Sequence, residues 1–325
     1  MESWVGPHEP MSRLTQSARW VLPFVVSAGT LAFVLQRIDI AVMLTHLDAN
    51  AARILVPALL AYGAVTLWLD SQSLVLLVSD PPESYGFWTA LRIKSASYLF
   101  GLLHYTLAAG SLTVLLRRRA GVSLSDAAGV VGLVSVLDLG MLIALPAIGA
   151  AFVSAQAPAL QAGVIAAGIA AIVGGFALLR APISLGPLER VRRLELFRVT
   201  RTSPPRLLFE VGILRLSLVG SFISLAWAAL TAFGISVPPG DLIVNVTAVA
   251  LVAALPVAVA GLGTGQVAFV YIFRHWADPE TLLACSFSLS AGLILMRGAI
   301  GLAFAREFTR EALTARRESQ AEGEA

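Results

Sequence analysis

The chain has 325 residues, of which 57% are hydrophobic and only 13% are charged. This balance, with a mean hydropathy of +0.81, excludes an ordinary soluble domain and indicates an integral membrane protein. The net charge of +3 is no sign of nucleic-acid binding, because arginines beside membrane helices set topology and contact anionic lipid headgroups. Cys285 is the only cysteine, which excludes an intrachain disulfide.

Six apolar runs are long enough to cross a membrane as helices. The first follows a polar tail, residues 1–18, and lacks the small-residue cleavage site of a signal peptide, so we expect it to be retained. Residues 37–53 mix apolar and charged side chains and predict a short interfacial helix. The predicted spans are 19–36, 54–79, 127–153, 158–180, 206–233 and 280–305.

Two further apolar stretches, 93–116 and 242–273, are interrupted by small residues and followed by similar polar spacers. Broken apolar segments at matching positions in two halves of a membrane protein point to a transport site. We favour the interpretation that each stretch is a re-entrant element, which enters the membrane and returns to the same side. The alternative is a kinked ordinary span at 93–116 and another at 242–259, with 260–273 lying in the interface.

The loop 181–205 fixes the predicted topology. Residues 180–206 hold seven arginines against two glutamates, so the positive-inside rule places this loop in the cytoplasm. With both broken stretches re-entrant, both termini, including the polar tail 306–325, are also cytoplasmic. The predicted fold is therefore an all-α polytopic membrane protein with six spanning helices and two oppositely facing re-entrant elements. These belong to one domain, 19–305, which contains a weak inverted repeat.

The near-absence of lysine, with abundant alanine and glycine, indicates a bacterial protein of the cytoplasmic membrane. Four ionisable residues lie within the predicted spans. Asp70 and Asp138 lie roughly 15–18 Å from the cytoplasmic end of their helices, and Arg215 and Arg297 roughly 12–14 Å. One interpretation is a neutralised set of Arg–Asp pairs that holds helices together. The other is that Arg215 or Arg297 binds a lipid phosphate, which Asp138 later releases.

Three more candidate residues belong to the first broken stretch. Arg92 and Lys94 precede its turn and either capture an anionic headgroup or anchor the element at the interface. His104 lies near the predicted turn, where it is either a hydrogen-bonding residue or a proton relay.

Glycines interrupt the second broken stretch, at Gly261, Gly263 and Gly265. They lack the register of a nucleotide-binding fingerprint and predict a tight turn whose exposed amides are able to bind an anion. The segment reads Leu255-Pro256-Val-Ala-Val-Ala-Gly261-Leu-Gly263-Thr-Gly265-Gln266.

This segment resembles the Pro-x-x-x-Gly-Gly-x-Gly-x-x-Glu type of pattern in the flippase-like family named for the transmembrane region of lysylphosphatidylglycerol synthetases. Around Gly110, the first broken stretch and the arginines after it are similar to the family's earlier Gly-rich turn and basic helix end. Gln266 and Ser111 stand where the family often has acids, which puts a mechanism based on those carboxylates in doubt. The family's aminoacyl-transfer domain has no match in this sequence.

The broken helices and intramembrane charges motivate the hypothesis of a flippase that moves a lipid with an anionic or glycosylated headgroup between leaflets. Its substrate is expected to be a membrane lipid or a polyprenyl-linked molecule. The alternative is a non-transporting scaffold for a glycosyltransferase or lipid synthase, docked through loop 181–205. No metal-ligand spacing, ATP motif or nucleophile–His–acid set is visible, so we expect neither a cofactor nor enzymatic activity.

Overall fold

The computed structural model describes residues 49–78, 82–103, 105–150, 202–254 and 264–323, and residues 166 and 199 singly. In these ranges it contains eight helices and no strand, which confirms the all-α prediction. The predicted span 19–36, the span 158–180 apart from residue 166, and most of the interfacial segment and of the cytoplasmic loop lie outside the described residues. The helices are α1 Ala49–Leu77, α2 Phe87–Leu103, α3 Tyr105–Ala120, α4 Leu124–Ala150, α5 Pro205–Ala232, α6 Pro239–Ala254, α7 Thr264–Phe273 and α8 Pro279–Gly323.

Four of the described helices are long and apolar enough to cross a membrane: α1, α4, α5 and the segment Pro279–Phe304 of α8. They coincide with the predicted spans 54–79, 127–153, 206–233 and 280–305. Helix α1 begins at Ala49, so residues 49–53 extend this span and do not belong to a separate interfacial helix. Helix α8 continues past its apolar segment to Gly323.

Local sequence signals set where these helices begin and end. Helix α5 begins with a proline, which needs no helical hydrogen-bond partner there. It ends where Gly234 adopts a left-handed φ of 70°, while the backbone N–H of Ile235 donates to the carbonyl of Leu230 at 2.9 Å. Helices α4 and α8 are capped by side chains: Ser123 accepts from the N–H of Asp126 at 3.1 Å, and Asp278 accepts from that of Thr281 at 2.8 Å.

Helices α2 and α3 form a hairpin, called the first hairpin below. At its open end, a Cβ built on Gly121 lies 3.9 Å from Cγ of Pro82, so the chain returns to where it entered. Near its tip, a Cβ on Gly101 lies 3.4 Å from that of Ala108. The helices have 17 and 16 residues, about 25 Å each, which is shorter than the hydrocarbon core. This return is the geometry that the re-entrant interpretation of 93–116 requires.

Helices α6 and α7 form the second hairpin. A Cβ built on Gly265 in α7 lies 3.6 Å from that of Ala253 in α6, which brings the inner ends together. At the open end, Phe273 packs in one core cluster with Ile235 and Val237, which precede α6. The connecting residues 255–263, with Gly261 and Gly263, lie outside the described residues.

The two hairpins enter the bundle from opposite ends. Helices α1 and α5 pack antiparallel, since Asp70 contacts Arg215 while the rings of Tyr62 and Phe222 lie 6.1 Å apart. The first hairpin packs on the C-terminal end of α1, in a core cluster that includes Leu77. The second hairpin packs at the N-terminal end of α1, in the other core cluster.

The packing of the helices follows an inverted repeat, in which α1 to α4 correspond to α5 to α8. Helix α1 packs on its counterpart α5. Helix α2 packs on α8, just as α6 packs on α4. Helix α3 packs on α4, just as α7 packs on α8. Two glycines allow close approach in the crossed pairs. A Cβ built on Gly301 of α8 would lie 2.6 Å from Cγ of Leu99 in α2, and one on Gly149 of α4 would lie 2.8 Å from Cγ2 of Val244 in α6.

Candidate functional site: an intramembrane charge cluster

A buried arginine and a buried aspartate join the two central helices. Nη1 of Arg215 in α5 donates to Oδ1 of Asp70 in α1 at 2.7 Å. Nη2 of the same guanidinium donates to Oγ of Ser73 at 2.6 Å and to the carbonyl of Leu69 at 3.3 Å. The Arg215 side chain is only 1% exposed, so the pair is shielded from any solvent. Removing one member of such a pair leaves an uncompensated charge and costs about 3–5 kcal/mol.

The second oxygen of the same carboxylate binds the first hairpin. Nζ of Lys94 in α2 lies 3.0 Å from Oδ2 of Asp70, and the hydroxyl of Tyr98 donates to that oxygen at 3.3 Å. Asp70 therefore holds two cations from two different helices. The Lys94 side chain is 18% exposed, so unlike Arg215 it is accessible from outside the packed core.

A second carboxylate, Asp138 in α4, completes the cluster. Its Oδ1 lies 3.6 Å from Nη1 of Arg215, too far for a hydrogen bond. That oxygen is buried and has no hydrogen-bond partner among the described residues, whereas the side chain as a whole is 34% exposed. We refer to Asp70, Lys94, Asp138 and Arg215 as the charge cluster.

Arg297 of α8 lies beside the charge cluster, not within it. Its guanidinium lies 5.9 Å from the ring centroid of Tyr98, and Nζ of Lys94 lies 5.6 Å from the same centroid. The side chain of Arg297 is exposed. Among the described residues it forms no ion pair with either acid, so its expected pairing with an aspartate is not observed. The ring of Tyr98 thus has two cations near it, at a distance typical of cation–π contacts.

The remaining candidate residues lie apart from one another. Arg92 is exposed on α2, and Gly110 is exposed within α3, so this glycine lies inside a helix and not at the connection between α2 and α3. Gln266 is buried in α7, where its amide donates to Oγ of Ser290 at 3.1 Å, and Gly265 lies in the first turn of that helix. His104, Gly261 and Gly263 lie outside the described residues, as does the anion-binding turn expected there.

The sequence pointed to Asp70, Asp138 and Arg215 by their presence in apolar spans, and the structure brings these three together. The sequence did not predict that the Lys94 side chain contacts Asp70 inside the bundle, because it placed Lys94 at the membrane interface. Two signals were present in the sequence: Tyr98 lies one helical turn after Lys94, and Ser73 one turn after Asp70. Polar side chains at that spacing lie on one face of a helix.

The chemistry open to this cluster is recognition of charge. Its two carboxylates balance one guanidinium and one ammonium, so with both acids ionised the net charge is zero. In the part of the chain that the structure describes, no three His, Cys, Asp or Glu side chains form a group able to hold a metal ion. The two partly exposed members, Lys94 and Asp138, are the groups that a ligand is able to reach.

The fold and this cluster define an all-helical, polytopic membrane protein built as an inverted repeat, with paired charges between its halves. The profile of the family described as lysylphosphatidylglycerol synthase TM region matches residues 20–301, and the chain belongs to this family. No curated protein and no solved structure matches the chain.

Proposed function

We propose that the protein is a lipid flippase of the bacterial cytoplasmic membrane, with both termini cytoplasmic, which moves a lipid with an anionic or glycosylated headgroup between leaflets. The observation that carries this proposal is the incomplete burial of the charge cluster. A purely structural ion-pair network is expected to be sealed and fully paired. In this cluster Lys94 and Asp138 are partly exposed, and Oδ1 of Asp138 lacks a donor.

The architecture supports the same proposal. Hairpins that enter an inverted repeat from opposite ends are the elements that alternating-access transporters use to expose one site to each side in turn. The charge cluster joins the first hairpin to α1, α4 and α5, so a movement of that hairpin alters the contacts of Lys94 with Asp70. A headgroup phosphate that competes for Lys94 and Arg297 would loosen this attachment. Substrate binding and hairpin movement are thereby linked.

The test is leaflet exchange in proteoliposomes. Headgroup-labelled anionic, zwitterionic and polyprenyl-phosphate lipids are followed by external quenching, and exchange above that of empty liposomes establishes transport. Arg297→Gln is expected to slow exchange of the anionic lipids, because its guanidinium lies beside the partly exposed Lys94.

The chain offers a matched control for this substitution. Arg274 also lies over a tyrosine ring, at 4.4 Å from the centroid of Tyr271, but it follows the second hairpin, far from the charge cluster. Arg274→Gln is therefore expected to leave exchange unchanged. Absence of exchange with every lipid, from verified folded protein, would contradict the proposal and favour the scaffold interpretation.

A further inference from the structure

Asp138 has the least complete set of contacts in the charge cluster. The neighbouring Asp70 receives Arg215 on one oxygen, and Lys94 and Tyr98 on the other. Oδ1 of Asp138 has no donor, and Nε of Arg215 is also buried without an acceptor among the described residues. The nearest described cation to this oxygen, Nη1 of Arg215 at 3.6 Å, lies beyond hydrogen-bond distance, so the buried oxygen is incompletely satisfied, and a proton bound to the carboxylate lowers the cost of burying it.

The charged groups that face Asp138 come from three helices. They are Arg215 of α5, Asp70 of α1 and Lys94 of α2. The other described helices packed on α4 are α3 and α6, whose charges lie at their ends, in the last turn of α3 and the first turn of α6. By helical rise these ends are about 20 Å from Asp138, as is the first turn of α4 itself.

This environment suits a proton and not a metal ion. A sodium or divalent ion needs several oxygen ligands, whereas the nearest charged neighbour of Asp138 is a guanidinium, and Asp70 already holds two cations. We infer that Asp138 is a proton-binding site, which takes up a proton through its exposed edge and releases it when Arg215 turns towards it.

Proton uptake also changes the charge that a substrate meets. With both acids ionised the cluster is neutral, and with Asp138 protonated it carries one positive charge beside the exposed Arg297. If the protein moves anionic lipids, as proposed above, a proton and an anionic headgroup then favour each other's binding, because such coupling is reciprocal. Transport would be coupled to protons, with one proton offsetting one headgroup charge.

The first experiment needs no transport. Infrared difference spectra of the full chain in lipid bilayers are recorded as the pH is lowered from about 8 to about 5.5, which stays above the range where ordinary exposed Asp and Glu side chains take up protons, and a protonated carboxyl band is expected to appear. Asp138→Asn should lose this band, whereas Asp126→Asn, which removes a carboxylate from the same helix, should keep it. Asp138→Glu should shift the band, which controls for misfolding of the asparagine variant. An unchanged band in Asp138→Asn would overturn the inference.

The second experiment applies a pH gradient or a sodium gradient to proteoliposomes that contain a headgroup-labelled anionic phospholipid. A pH gradient is expected to drive its net movement, and Asp138→Asn should lose this response. Exchange that responds to sodium alone, or to neither gradient, would overturn the inference and leave the proposed function standing. If the Asp138 band titrates but no lipid is exchanged, the proton-binding site is supported and the proposed flippase function is contradicted.

Discussion

The two halves of the inverted repeat share their packing but differ in their chemistry. When residues are counted from the first described residue of each helix, Asp70 of α1 corresponds to Ala226 of α5, and Arg215 of α5 corresponds to Leu59 of α1. In the same count Lys94 corresponds to Val246, and Asp138 to Leu293. We call these four residues the apolar counterpart of the charge cluster: Leu59, Ala226 and Val246 are buried in the same core cluster, and Leu293 packs against that cluster.

The correspondence indicates that the same helix packing accommodates charged side chains in one half and apolar side chains in the other. One end therefore combines an apolar core cluster with buried ion pairs, whose strength depends on protonation and partners, whereas the other depends mainly on buried apolar area. If the bundle opens alternately at its two ends, the two openings are controlled by different forces.

The largest effect is expected from breaking the central ion pair. Arg215→Leu should lower the free energy of unfolding by about 3–5 kcal/mol, because it leaves Asp70 buried with only Lys94 as a cationic partner. The measurement is chemical unfolding in detergent micelles. The double variant Asp70→Leu, Arg215→Leu removes both members of the central pair but leaves Lys94 and Asp138 without these partners, so it should recover only part of that loss while abolishing transport. A single variant as stable as the parent would show that the pair contributes nothing.

A smaller loss is expected in the apolar counterpart. Leu59→Ala should cost about 2–4 kcal/mol, because Leu59 is buried and packs tightly against Gly292 of α8. Leu295→Ala, at a side chain that is 73% exposed, is the matched control and should cost much less in the same unfolding assay. Headgroup preference should remain that of the parent in both variants, and a changed preference would contradict the division between the two ends.

The smallest effect concerns the caps at corresponding positions, Ser123 before α4 and Asp278 before α8. Replacing either by alanine should cost about 1 kcal/mol. Burial alone would raise the pKa of Asp278, but hydrogen bonds from the backbone and hydroxyl of Thr281 outweigh it, and the pKa lies below its usual value.

The sign of the pH effect follows from that direction. A lowered folded-state pKa means that the ionised cap stabilises the fold above the unfolded pKa of about 3.9, and that this contribution is lost as the pH falls further. The cost of Asp278→Ala should therefore be full at pH 7 and shrink on acidification below about pH 4, as measured by thermal unfolding. An equal cost at all pH values would assign the cap to packing alone.

The sequence was sufficient to predict the elements that have a strong pattern in the local sequence. Four described spans follow from apolar length, and both hairpins from small residues that interrupt apolar stretches. Partners across helices were harder to predict, because they depend on rotation about each helix axis. Depth alone placed Arg297 with the acids, whereas the packing of α2 between α1 and α8 gives that place to Lys94 and leaves Arg297 over Tyr98. The functional roles of all these residues stay predictions.

Lys94 is the only lysine of the chain, and its ammonium lies in the charge cluster with 18% of the side chain exposed. An amine-directed reagent small enough to enter therefore has a single side-chain target in the whole protein. The rate of that modification reports directly how open the site is. Protection by an added lipid, read as the mass shift of the peptide that contains Lys94 and so separated from reaction at the N-terminal amine, would measure occupancy without a cysteine mutant or a fluorescent label.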